Sequence, residues 1–198
     1  AILAYGAAAS PTASLGAGLQ IQGALAPDVA SFSSRGPAIA GAGNLLKPDI
    51  MAPGVDVLAA MSPIEAGHNF DFLSGTSMSS PHIAGIAALF KQKYPTWSPA
   101  AIKSAMMTTA SQTRNNNTPI PGGSFAYGAG QVVPNSGVNP GLVFDSGFND
   151  WLAFLCGTGQ LAASYCPSIA INPSNLNYPS IAIGALAGVQ TVTRTVTN

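Results

Sequence analysis

Charge is scarce in this sequence: 7% of its 198 residues are Asp, Glu, Lys or Arg, seven of each sign, for a formal net charge of zero. Without a basic stripe to neutralise phosphates, nucleic acid is not an expected partner, and without an acidic field neither is a cationic one. Histidine occurs only as His68 and His82. The cysteines, Cys156 and Cys166, are too few for a disulfide framework, and no Cys or His cluster supplies the remaining ligands of a zinc site, so no metal or other cofactor is expected. No apolar run reaches the ~18 uninterrupted residues of a bilayer span, so no membrane association is expected. The chain does not begin with Met, and its apolar first ten residues lack the basic flank of a signal peptide. They read as a cut strand and turn within a longer protein.

Glycine and proline are plentiful, 22 and 16, and spread along the chain, which marks a loop-rich globular protein. "DVASFSSRGP" (28–37) reads as a strand entering a loop, "LKPDIMAPGVDVLAAM" (46–61) as strand, tight turn and strand in a mostly buried sheet, and "HNFDFLSGTS" as a further strand ending at Gly75. From about Ser79 the spacing turns helical. Ile83, Ile86, Ala87 and Phe90 share one face while Ala84, Gly85 and Ala88 keep another thin, predicting a buried helix that ends near Lys91 and Lys93. Ser98 as N-cap with Pro99 at the first helical position starts another, carrying Ile102, Ala105, Met106 and Thr109, with Met106 and Met107 as core fillers. "DWLAFLC" restores helical spacing, and "VQTVTRTVTN" alternates strictly, the pattern of a β-sandwich strand.

Across "CGTGQLAASYC", Cys156 and Cys166 either close into a small disulfide ring or remain reduced thiols. Asn116 opens the sequon "NNT", an acceptor for N-glycosylation in a secreted protein.

Ser77, in "SGTSMSSPH", stands where a strand gives way to a helix. Helix-start amides and dipole there favour an oxyanion, and Gly75 lets a substrate backbone approach closely; the same residue types also serve as ordinary helix caps. The pattern is not the G-x-S-x-G elbow, since Ser79 stands where its second glycine belongs, and a lipase-like hydrolase would need a late histidine where only His82 follows. His82 lies five residues on, about 140° around the helix at ~100° per residue, and reads as a structural histidine. His68 reads as a surface one. Neither forms a triad with Ser77 and the available acids.

"GTSMSSPHIAGIAALFK" resembles the active-serine signature of the subtilisin-like serine proteases, with Gly75, Thr76, Ser77, Met78, Pro81, His82, Ala84 and Gly85 in register. "ASFSSRGP", "LKPDIMAPGVDVLAA", "WSPAAIKSAMMTTA", "YGAGQVVPNSGVNPGLVFD", "LNYPS" and "TVTRTVTN" follow one another as in the plant branch of that family, so the likeness covers residues 27–198. It implies an α/β fold: residues 1–27 as the tail of a protease-associated insert or linker, 28–172 as the C-terminal half of a catalytic domain with a largely parallel sheet, and 173–198 as the first strands of a fibronectin type III-like sandwich. It implies a serine endopeptidase acting on proteins or peptides, with Ser77 as nucleophile, Gly75 and Thr76 lining the cleft, and an extracellular location, the cell wall included. Oligomeric state stays open. The family's Asp, His and oxyanion Asn have no motif here and are expected upstream, which would leave this piece alone inactive. The rival reading is a non-catalytic binding protein that keeps the fold and uses Ser77 as a cap.

Overall fold

The computed structural model describes residue 12 and residues 23–166 and 170–198. Most of the tail expected over 1–27 lies outside them. The segment around 28–37 is an irregular turn, not the expected strand. Strand β1 (Val57–Ala60) pairs antiparallel with β2 (Phe70–Leu73), with Val57 opposite Leu73 and Ala60 opposite Phe70, and helix α1 (Pro63–Ala66) fills the hairpin connection. Helix α2 (Thr76–Lys93) follows, then α3 (Pro99–Thr108), α4 (Ser124–Tyr127), α5 (Pro134–Gly137) and α6 (Phe148–Gly157). Helix and strand are both present, as an α/β chain requires. Among the described residues the sheet is the two-stranded hairpin, and parallel pairing is a single bridge from Met51 to Gln131.

Local chemistry explains the helix starts. Ser98 Oγ accepts from the Ala101 amide at 3.0 Å and Pro99 occupies the first turn, where its missing N–H costs nothing. At α6, the Gly147 amide donates to Asp150 Oδ2 at 2.7 Å, which puts a carboxylate against the positive end of the helix. At the other end of α2, Lys91 Nζ donates to the carbonyls of Pro95 (2.7 Å) and Trp97 (2.8 Å), so its charge meets the chain leaving the helix C-terminus.

Two apolar clusters make the core. One gathers Phe90 of α2, Ile102, Ala105 and Met106 of α3, and Val132 and Val143; the other joins Met107, Phe154, Leu176 and Tyr178. Both methionines are buried, as core fillers should be. Leu176 and Tyr178, after the boundary expected at 173, share the second cluster with Met107 and Phe154 before it.

Two expectations of burial fail. Phe90 is the one buried residue of α2, while Ala84, Gly85 and Ala88 are exposed and Leu89 is 63% exposed. The hairpin, expected in a mostly buried sheet, leaves Leu58 and Phe72 at 57% and 62% exposure. A helix apolar on all sides needs a neighbour on each, and the described residues supply one for the Ile83–Phe90 side alone. The alternating segment 189–198 forms no regular strand; Val143 and Thr197 exchange both backbone hydrogen bonds in an antiparallel bridge, and Asn175 and Asn177 Oδ1 accept from the amides of Thr193 and Thr195 at 3.0 and 2.9 Å. Its alternation survives in burial, with Val192 and Arg194 turned inward and Thr191, Thr193 and Thr195 outward.

Cys156, near the end of α6, is joined to Cys166 by a disulfide, with Cα atoms 5.5 Å apart. Closing so short a loop removes unfolded-state entropy, so Cys166→Ser is expected to cost about 2–3 kcal/mol. The comparison is equilibrium denaturation of the intact protein and its variant; equal midpoints would show that the bond contributes nothing.

Candidate active site

The start of α2 is held by the segment 49–54. The Gly75 amide donates to the Gly54 carbonyl at 2.8 Å, and Ser79 Oγ donates to the Ala52 carbonyl at 2.8 Å. Gly75 O in turn accepts from the amides of Met78 (3.1 Å) and Ser79 (3.4 Å), opening the helical ladder. A Cβ at Gly54 would lie 2.9 Å from that oxygen and 3.2 Å from Ser79 Cβ, so only glycine leaves the two backbones room.

Ser77 is the second residue of α2 and is exposed. Its hydroxyl makes no hydrogen bond among the described residues, and neither its amide nor that of Thr76 finds an acceptor there. These are the orphan donors that any helix start presents, here beside an unengaged hydroxyl oxygen. Pro81, inside the helix, has no N–H to offer the Ser77 carbonyl four residues back. Gly75 and Thr76 line a mainly apolar cavity of about 890 Å³ together with Gly54, Ser79, Ile83 and Ala87, while Ser77 is not part of its wall.

Neither histidine bonds to Ser77. His82 Nδ1 is 2.8 Å from the Met78 carbonyl one turn earlier, so that nitrogen carries the proton and the ring is tied to its own helix. His68 pairs with Asp71, Nε2 to Oδ2 at 3.1 Å, both half-exposed on the hairpin. That hydrogen bond, with the Phe72 amide, holds the Asp71 carboxyl below its ordinary range. The sequence reading passed over this pair, although a three-residue spacing across a strand entry was a signal for it. Asn116 lies at an exposed loop tip, and the Cys156–Cys166 bond closes the loop after α6.

Away from Ser77, the strongest electrostatic feature is an ionic cluster that sequence separation concealed. Asp49 Oδ2 receives Lys47 Nζ at 2.6 Å and Lys103 Nζ of α3 at 2.5 Å, and the two ammoniums stand 5.7 and 5.0 Å from the centre of the Tyr178 ring. Burial alone would raise the Asp49 carboxyl, but the Lys103 and Lys47 charges outweigh it and hold the group low. Lys103 is held low as well, against its charged form: burial lowers it, Asp49 offsets only part, and Lys47 adds like-charge repulsion. The two ends differ because the carboxylate has two cations and each cation shares one carboxylate. Burial, then the Asp49 charge, pushes the Tyr178 phenol up, so it stays protonated. Among the described residues no group of three or more His, Cys, Asp or Glu could hold a metal ion, and no helix is long and apolar enough to cross a membrane.

A model of the subtilase family matches residues 2–130. The Arabidopsis thaliana subtilisin-like proteases SBT2.5 and SBT5.3 are 46% and 48% identical to this chain over 205 and 198 residues, each match covering 87% of this chain and 25% or 26% of the relative. The Glycine max subtilisin-like protease Glyma18g48580 is 44% identical over 200 residues, covering 87% of this chain and 25% of its own length. The chain thus spans about a quarter of the length of the curated relatives it matches.

Proposed function

Because the chain belongs to the subtilase family, we propose that the intact protein is a serine endopeptidase with Ser77 as its nucleophile. Ser77 Oγ attacks a peptide carbonyl, a histidine from another part of the protein takes its proton, and an aspartate orients that histidine. The Ser77 amide shares the developing oxyanion with an asparagine side chain from that same part. Gly75 and Thr76 border the substrate, which is a protein or peptide. The observation that carries this reading is the unengaged hydroxyl and amide of one residue at a clamped helix start.

Within the whole protein, the exposed face of α2 and the apolar hairpin are covered by the rest of a largely parallel sheet. The segment 173–198 opens a fibronectin type III-like sandwich whose other strands complete the alternation. These 198 residues by themselves are inactive, lacking the base, the acid and the second oxyanion donor. The protein works outside the cell, which the Cys156–Cys166 bond supports, since such bonds persist in oxidising compartments.

The absence of any base bonded to Ser77 among the described residues favours a second reading, a binding protein that keeps the fold. A fluorophosphonate probe separates the two. Intact protein that is labelled at Ser77, with no labelling of Ser77→Ala, supports the protease; intact protein that resists the probe supports the binding protein.

Gly54→Ala tests the clamp. Its methyl group must push the Gly75 carbonyl, and the helix start with it, by a few tenths of an ångström. The expected result is a fall in kcat of about ten-fold or more with little change in the folded population, since small misplacements of catalytic groups are costly. Unchanged kcat would show that the helix start moves without carrying Ser77 out of position.

A further inference from the structure

The loop 111–120 carries three consecutive asparagines at its tip, and the structure gives each a different task. Bridges between Ser111 and Gln131 and between Thr113 and Pro119 narrow the loop, and the Asn117 amide donates to the Arg114 carbonyl at 2.9 Å, closing the turn. Asn115 is consumed in anchoring: its Nδ2 donates to the Ala24 carbonyl at 2.8 Å, its Oδ1 accepts from the Ala26 amide at 3.4 Å, and its own amide donates to the Ala26 carbonyl at 2.7 Å. Arg114 adds an ion pair to Asp28. Asn117 supplies the left-handed turn residue, with φ of 63°, a conformation asparagine tolerates better than most. Asn116 does neither. It is exposed, and its Oδ1 accepts two hydrogen bonds from one residue, the Thr118 amide at 3.1 Å and the Thr118 hydroxyl at 2.6 Å, leaving Nδ2 without a partner among the described residues.

We propose that Asn116 Nδ2 is the attachment point of an N-linked oligosaccharide. The geometry goes beyond the three-letter sequon. The two donors from Thr118 fix the carboxamide oxygen and hold the nitrogen outward, and the anchoring by Asn115 and Arg114 keeps the tip presented in the folded chain. In the transfer, Nδ2 forms a bond to the anomeric carbon of a lipid-linked oligosaccharide diphosphate. The bond from that carbon to the diphosphate oxygen breaks, the lipid diphosphate leaves with the electron pair, and one amide proton passes to a base of the transferase. This rests on the reading that the intact protein passes through the secretory route, the compartment where both the sugar donor and the Cys156–Cys166 bond form.

The test is peptide mapping by mass spectrometry of the full-length protein recovered from secreting plant cells, without reduction. A glycosidase that converts glycosylated Asn to Asp is used in heavy-oxygen water. The expected result is heavy-oxygen Asp at 116, lost in Asn116→Gln and in Thr118→Ala but kept in Asn117→Gln and Thr118→Ser. An unmodified Asn116 in a sample whose Cys156–Cys166 peptide is disulfide-linked overturns the site while leaving the secretory reading intact. An unmodified Asn116 together with free thiols overturns both. Heavy-oxygen Asp at 115 or 117 in place of 116 would overturn the site.

Discussion

Replacing Ser77 with Ala in the intact protein is expected to lower turnover of a peptide substrate by about 2 × 10⁶-fold, a magnitude taken from removal of the corresponding serine in subtilisin. What remains should still exceed the uncatalysed rate by about 10³–10⁴-fold, because binding and oxyanion stabilisation survive loss of the nucleophile. The control carries as much weight as the variant. His82→Ala removes a ring bonded to the Met78 carbonyl and should cost about 1 kcal/mol of stability with kcat within a few-fold of normal. His68→Ala breaks an exposed pair with Asp71 and should likewise leave kcat standing. Steady-state kinetics on the three purified variants decide it. A collapse in His82→Ala as deep as in Ser77→Ala would mean that the proposed division between nucleophile and structural histidine is wrong.

The second large effect is on stability. Asp49→Ala leaves the Lys47 and Lys103 ammoniums facing each other over the Tyr178 ring with no counter-charge. Stranding a buried charge costs about 3–5 kcal/mol, but these side chains are 39% and 37% exposed and can turn toward water. A loss of about 2–3 kcal/mol is the expected outcome after that screening. It should appear as faster hydrogen exchange in α3, which holds Lys103, and around Tyr178. Because the two lysines hold the folded carboxyl below the ordinary aspartate value of about 3.9, its contribution is complete above that pH and disappears as pH falls through the lower folded value. Asp49→Asn never has this contribution, so the stability gap between it and the parent should be full near pH 6 and shrink toward about pH 3. A gap that stays constant over that range would place the effect in packing and not in charge.

How far each feature could be read depends on the span of chain that determines it. Ser98 and Pro99 announced α3 because a cap and the amide that donates to it lie three residues apart. The hairpin strand before Gly75 was visible in its alternation, and α2 in its helical spacing. Burial was not visible. The thin face of α2 was expected to be covered, yet what covers a helix is a property of its neighbours, and the described residues provide them on one side alone. The same reasoning applies to 189–198, where alternation predicted a strand and the segment found two asparagine side chains and a single bridge instead of a ladder.

At the site, the sequence by itself determined the helix start, the serine placed on it, the lack of a helical route from His82 back to Ser77, and the family to which the pattern points. These follow from rise and rotation along one element, which sequence spacing sets. Only the tertiary structure decided that Gly54 and Ala52 grip the helix start, that Asn115 anchors the loop while Asn116 bonds only to Thr118, and that Lys47, Asp49, Lys103 and Tyr178 meet. Lys103 and Tyr178 are far apart in the chain, and no local periodicity encodes a contact that exists only once the second apolar cluster has brought α3 and the segment after α6 together.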